Sequence, residues 1–237
     1  MTTLLAAVSQ EFFKSNENTC VAQNKVCPGW AIHHIDRYVT PALQHIVLVV
    51  VSVSLGFVIA MALALLSHRS RWLVPPITGL TGALYTIPSI AFIFLLLPIT
   101  GLGNTTAVIV LSAYTLQIIY RNTIIGLRNV PPEARESGRG MGMTDRQLLW
   151  QVELPLALPE IIAGLRIATV STVAIATLMV YAGAGGLGSE LVAGSNITFK
   201  TGIIVAGGLA VLIAIMFDSL LVIVQRFLLP WRRVRPV

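Results

Sequence analysis

The chain has 237 residues, 55% of them hydrophobic and only 11% charged, with a mean hydropathy of +0.82. These values exclude a soluble globular domain and call for a membrane as part of the solvent. A net charge of +6 and a pI near 9.8 could suit nucleic acid, but the basic residues flank apolar runs, so no nucleic-acid partner is expected.

Residues 1–40 contain no run long enough to cross a bilayer, and no Lys or Arg precedes Leu4, so they read as an external arm rather than a cleavable leader. Cys20 and Cys27 are the chain's two cysteines. Outside the cell they could oxidise to a disulfide. The alternative, a metal held with His33 and His34, lacks a zinc-ligand spacing, and no metal is expected.

A membrane domain follows over 41–230, with five expected spans. The first covers about 44–66 and ends in a basic turn. The second, about 73–97, carries Pro75, Pro76 and Pro88 as kinks and is closed by Pro98. The third, about 105–127, requires Arg121 to snorkel. A polar loop over 131–158 separates it from the fourth, about 159–182. The fifth, about 202–229, stops at Pro230, and 231–237 form a basic tail. An external amino terminus leaves Lys14, Lys25, Arg37 and Lys200 outside and the other twelve basic residues at the cytoplasmic face. Trp72 and Trp231 fall beside span ends, where amphipathic rings prefer to sit.

The polar loop is the most informative stretch. Pro131 and Pro132 suit the first turn of a helix over 133–141, and Gly142 is a natural left-handed stop. Thr144 and Gln147 have capping-box spacing, so a second helix starts at Asp145 and carries Leu148, Leu149 and Val152 to Pro155. Ala134, Gly138 and Met141 share one face of the first helix, small enough for another protein to approach. Amphipathicity alone leaves two readings open. The loop is a docking element, or its arginines draw it onto anionic membrane lipid.

The order Glu136, Gly142, nine residues, then Val152, Glu153, Leu154, Pro155 resembles the cytoplasmic coupling motif of permease subunits of ATP-binding-cassette (ABC) importers. Glu136, Gly142, Leu154 and Pro155 match it. Ser137 and Gly138 stand where two alanines are usual, and Val152 replaces isoleucine. The likeness spans about 38–230. Segments such as 85–91, 97–103, Arg121-Asn122-Thr123 and 183–188 look like the branch that imports quaternary-amine osmoprotectants: glycine betaine, choline, carnitine.

The resemblance implies an all-α membrane protein with the type I importer permease fold, in the bacterial cytoplasmic membrane. It also implies three kinds of partner: ABC ATPase subunits, a second permease subunit, identical or not, and an external substrate-binding protein. In the family the loop is a short helix that enters a cleft on the ATPase. Glu136 and Gly142 are then docking positions, with Arg135, Arg139 and Asp145 as charge partners. The chain has no G-x-x-x-x-G-K-[ST] phosphate loop, so it is not expected to be an enzyme or to bind a cofactor; ATP and magnesium belong to the partner ATPase.

Gly183, Gly185 and Gly188 spell G-x-G-x-x-G. With no βαβ context, the glycines read as a tight turn at the outer end of the pathway and not as a dinucleotide site. Asp218 is a carboxylate inside the fifth span, at a depth comparable to Arg166 in the fourth. It is expected to pair with Arg166, with Arg226 or with a helix end, or else to attract a passing ammonium. Tyr85, Tyr114 and Tyr181, with Ser89, are candidates to line the pathway by cation–π attraction, against an ordinary packing role. Two other functions stay open: a permease for another small solute such as an amino acid, and a free-standing channel or secondary transporter.

Overall fold

A computed structural model of the chain describes residues 25–229. All regular structure among them is helical. Pro28–His33 (α1) and a 3-10 turn lead into Val39–Arg69 (α2). Another 3-10 turn, Arg71–Leu73, precedes Val74–Thr86 (α3) and Ser89–Thr100 (α4). Asn104–Arg128 (α5) is followed by the short helices Pro132–Gly140 (α6) and Asp145–Leu148 (α7). A π turn, Leu149–Glu153, opens into Leu154–Ala176 (α8). Leu187–Asn196 (α9) and Lys200–Leu228 (α10) complete the described chain.

Among the described residues, four stretches are long and apolar enough to cross a membrane: Ile35–Arg69, Asn104–Arg128, Asp145–Ala182 and Lys200–Leu228. A fifth arises if α3 and α4 count as one broken span. That break departs from the single kinked helix expected over 73–97. Pro88 donates no N–H and disfavours helical backbone at Ile87, so α3 ends at Thr86 and α4 begins at Ser89, with Pro88 extended at ψ 133. Pro98, expected to close the run, lies inside α4. It sits within a turn of the helix end, and the last turn is held by Gly101 N–H donating to the Leu97 carbonyl at 2.9 Å and Thr100 Oγ1 donating to the Leu96 carbonyl at 3.0 Å.

The fourth span also differs from its expected start near 159. The helix is continuous from Asp145 to Ala182, so Pro155 and Pro159 both lie within it. Pro155 has no N–H for the carbonyl of Gln151, and the helix widens there into the π turn instead of stopping.

By Cα proximity the chain divides into two compact units: residues up to Ser52 with Ile87–Leu111 and Ser171–Ile215, and Val53–Thr86 with Ser112–Val170 and Met216 onward. In the second, α2, α5 and α8 pack through small residues. Ala60 and Ala64 are fully buried against Ile119, Tyr120, Ile124 and Ala168. A methyl on Gly56 would fall 1.8 Å from Thr115 Oγ1, and one on Gly164 would fall 2.5 Å from the Cβ of Asn122. Close backbone approach of this kind is how helices associate where lipid removes the hydrophobic drive.

In the first unit, Trp30 stacks on His34 and meets Phe199 edge-on, with centroids 4.5 and 4.7 Å apart. Arg37 Nε donates to Glu190 Oε2 at 2.9 Å. Of the most apolar part of each span, 50% is buried in Asn104–Arg128 but 11% in Lys200–Leu228, so α10 leaves far more of its apolar surface uncovered than α5.

Candidate functional site

The polar loop is two capped helices joined by a left-handed glycine. Pro132 opens α6, and Gly142 adopts φ +78, where a side chain would be strained. Thr144 Oγ1 accepts from the backbone N–H of Gln147 at 3.3 Å while Gln147 Oε1 accepts from the Thr144 N–H at 2.9 Å, completing the capping box. Since α7 runs on into α8, the second arm of the loop is the beginning of a membrane-crossing helix rather than a linker to it.

The outward face of α6 is not the one expected. Gly138 is buried: a methyl there would lie 2.6 Å from Leu148 Cδ1, with Met143 and Val152 also nearby. The small residue is needed for α6 to lie on α7 and the π turn, and a partner cannot use it. Met141 is 69% exposed, and Glu136, Ser137, Arg139, Gly142 and Asp145 are exposed as well, so the free surface is polar and charged. A methyl on Gly142 would meet open space, so its glycine serves the turn and not packing.

Arg135 is also turned inward. Its Nε donates to Glu153 Oε1 at 2.7 Å and its Nη2 to the Leu127 carbonyl at the end of α5. His68, in the last turn of α2, lies 2.9 Å from Glu153 Oε2. Glu153, 5% exposed, thereby gathers the end of α2, the end of α5, α6 and the start of α8 around one carboxylate. Two charge-capable partners, one per oxygen, offset the cost of burying it. Leu154, half-buried, packs beside Leu127, Ala157 and Ile161 with Phe57 and Met61, so the next motif residue anchors the loop apolarly. Pro155 follows it in α8.

Sequence reasoning missed Glu153 and His68. The one available signal was a carboxylate at a position between apolar residues, with no polar neighbour of its own.

The intramembrane charges lie together. Arg166 Nε donates to Asp218 Oδ1 at 2.8 Å and Nη2 to Oδ2 at 2.9 Å, a bidentate pair joining α8 and α10. With both oxygens bridged, neither charge stands alone in a span.

Of the aromatic candidates, Tyr85 and Tyr114 meet edge-on with centroids 5.7 Å apart, Tyr114 being 6% exposed and Tyr85 44%. Tyr181 and Ser89 belong to the other compact unit. Cys20 lies outside the described residues; the Cys27 N–H donates to Thr201 Oγ1 at 3.0 Å. Among the described residues no three His, Cys, Asp or Glu side chains gather as a metal site.

The glycine-rich turn at 183–188 is compact and internally packed. Gly183 and Gly186 adopt φ +77 and +108. Gln44 Oε1 accepts from the Gly186 N–H at 3.1 Å and would stand 2.2 Å from a methyl on Gly185. A methyl on Gly188 would fall 2.0 Å from the Thr177 carbonyl oxygen. His45, fully buried, bonds the Val173 carbonyl through Nε2 at 3.1 Å and packs its ring on Gly186. Gly185, Gly186 and Gly188 are thus used for close packing within the chain.

Comparison with known proteins shows what the chain as a whole is similar to. Residues 52–234 match the family described as binding-protein-dependent transport system inner membrane component. The chain is 40% identical over 196 residues to the osmoprotectant import permease OsmW of Salmonella typhimurium, covering 79% of this chain and 89% of that one. It is 39% identical over 170 residues to the carnitine transport permease OpuCB of Listeria monocytogenes, covering 72% and 78%. It is 33% identical over 208 residues to the choline transport permease OpuBB of Bacillus subtilis, covering 84% and 95%. A solved inward-facing MetNI methionine ABC transporter chain superposes with a TM-score of 0.71 at 21% identity, over 85% of this chain and 99% of that one, which supports the fold alone.

Proposed function

The chain belongs to the binding-protein-dependent transport system inner membrane component family, and from that premise we propose that it is the permease subunit of an ATP-driven importer of osmoprotectant quaternary amines: glycine betaine, choline or carnitine. The substrate class rests on the relatives, which are named for osmoprotectant, carnitine and choline transport and align over most of this chain. The coupling role rests on one observation: the loop is built into the spans through Glu153 and through the unbroken helix Asp145–Ala182. A force applied to α6 therefore reaches α2, α5 and α8 without crossing a flexible linker.

In this reading the chain has five spans, with α3 and α4 forming the broken second one, the amino terminus outside and the carboxyl terminus inside. Two permease subunits face each other around the pathway, and an external binding protein delivers the amine. ATP and magnesium act at a separate ATPase, whose cleft receives the exposed face of α6 and the start of α7, with Glu136, Ser137, Arg139 and Asp145 as its contacts. Closure of the ATPase pair draws the two loops together and opens the pathway outward. Tyr85, 44% exposed and backed edge-on by buried Tyr114, presents an aromatic ring to the cation, Arg166 and Asp218 hold α8 to α10, and a disulfide between Cys20 and Cys27 ties the external arm.

Reconstitution with the ATPase and binding protein tests the reading. Labelled glycine betaine, choline or carnitine should accumulate with ATP and stop when ATP is depleted at a held membrane potential. Accumulation that follows the potential and ignores ATP would instead identify a free-standing transporter. ATP-driven uptake of an amino acid, with none of the three amines, would keep the machinery and replace the cargo.

A further inference from the structure

Where α2 and α5 end, beside the turn Arg71–Leu73, a cavity of about 400 Å³ is lined by both cationic and apolar side chains. Arg71, Arg128 and Arg135 supply the charge, Val74, Ile124 and Leu127 the apolar part, and Ser67 and His68 complete the lining. No carboxylate lines it. Arg135 is engaged by Glu153 and the Leu127 carbonyl. Arg71 and Arg128 form no ion pair with a carboxylate among the described residues.

A helix C-terminus ordinarily repels an anion, but here Arg135 covers the Leu127 carbonyl and removes that obstacle at the end of α5. Arg69 and Arg128 are the last residues of two candidate spans, and Trp72, beside Arg71, is 75% exposed. A basic turn with an exposed indole at the ends of spans is the signature of the membrane–water boundary.

We infer that this cavity is a site for an anionic phospholipid. Arg71 and Arg128 grip the headgroup phosphate, and half-buried Val74, at the apolar edge of the cavity, meets the first part of an acyl chain. Paired guanidinium groups suit a phosphate oxyanion. The apolar edge and the position at span ends select a lipid over free phosphate. The site shares with the proposed function only the assignment of these ends to the cytoplasmic leaflet, and it needs neither nucleotide nor transported amine.

The test therefore omits both. The full chain, purified with its partners, is exposed to mixed micelles of phosphatidylglycerol and phosphatidylcholine in equal amounts, and the lipid retained is quantified by mass spectrometry. The unaltered chain should retain phosphatidylglycerol over phosphatidylcholine by about thirtyfold, given two arginines at the surface of the site. Arg71→Gln with Arg128→Gln should bring the ratio close to parity, and Arg71→Lys with Arg128→Lys should keep most of the preference. Both arginines are exposed, so the fold should survive, and the lysine pair controls for it. An unchanged ratio in the glutamine variant overturns the inference. So does binding of labelled inorganic phosphate, lost in that variant, by a chain with no lipid preference.

Discussion

Two turns in this protein depend on left-handed glycines and use them in opposite ways. At the polar loop Gly142 turns the chain with open space around it, and the flanking residues Glu136, Ser137, Arg139 and Asp145 face outward. At 183–188 Gly185, Gly186 and Gly188 are hemmed in by Gln44, His45 and the Thr177 carbonyl, and only Gly183 at the edge of the turn is exposed. Both carry glycine patterns that look like motifs, yet the second is mostly used for packing within the chain. A glycine needed for backbone angle and a glycine needed for space fail differently when replaced.

That difference orders the consequences of mutation. Gly188→Ala should be the most damaging, about 3 kcal/mol or more, because the new methyl meets backbone that cannot rotate away. Loss of folded, detergent-stable protein in thermal unfolding is the readout, and a near-neutral result would mean that the turn is looser than its packing implies. Glu153→Ala comes next, at about 2 kcal/mol, because it strands Arg135 and His68, which are only partly exposed. Its distinguishing mark should be a loss of transport per folded molecule beyond the loss of protein, since the joint linking α6 to the spans is gone.

Gly142→Ala should cost about 1 kcal/mol through its φ alone. If it cost as much as Gly188→Ala, the contrast between an open and a closely packed turn would collapse. Glu136→Lys should change stability by less than about 0.5 kcal/mol, since the side chain is exposed, while lowering ATP-driven uptake at least tenfold.

What the sequence revealed was mostly local chemistry. The capping box at Thr144 and Gln147, the left-handed Gly142 and the helix opening at Pro132 follow from side chains acting on neighbouring backbone. The proximity of Asp218 and Arg166 followed from counting residues along two spans, because depth in a membrane is a coordinate that sequence supplies. What escaped required knowledge of which distant groups meet. His68 reaches Glu153 from the far end of another helix, and Arg135 turns toward that carboxylate instead of a partner. The inward face of α6 was assigned by residue size, and a small residue serves equally for contact with a partner or with its own chain.

Proline was the least reliable guide. Pro88 breaks the chain into two helices, whereas Pro98, Pro155 and Pro159 lie inside helices. The residue type is the same, and the outcome turns on whether the adjoining turn can hold together without the missing bond.

The proposed grip of a separate ATPase on α6 requires that helix to lie on the cytoplasmic side. Ser137→Cys, exposed on that helix, tests it with a membrane-impermeant thiol reagent, against the parent chain whose Cys20 and Cys27 set the background. Ser137→Cys should be labelled in inside-out vesicles, not beyond background in intact cells, and should be protected when the ATPase is bound. Labelling of intact cells from outside, or labelling from inside that the ATPase leaves unchanged, would contradict the proposed grip.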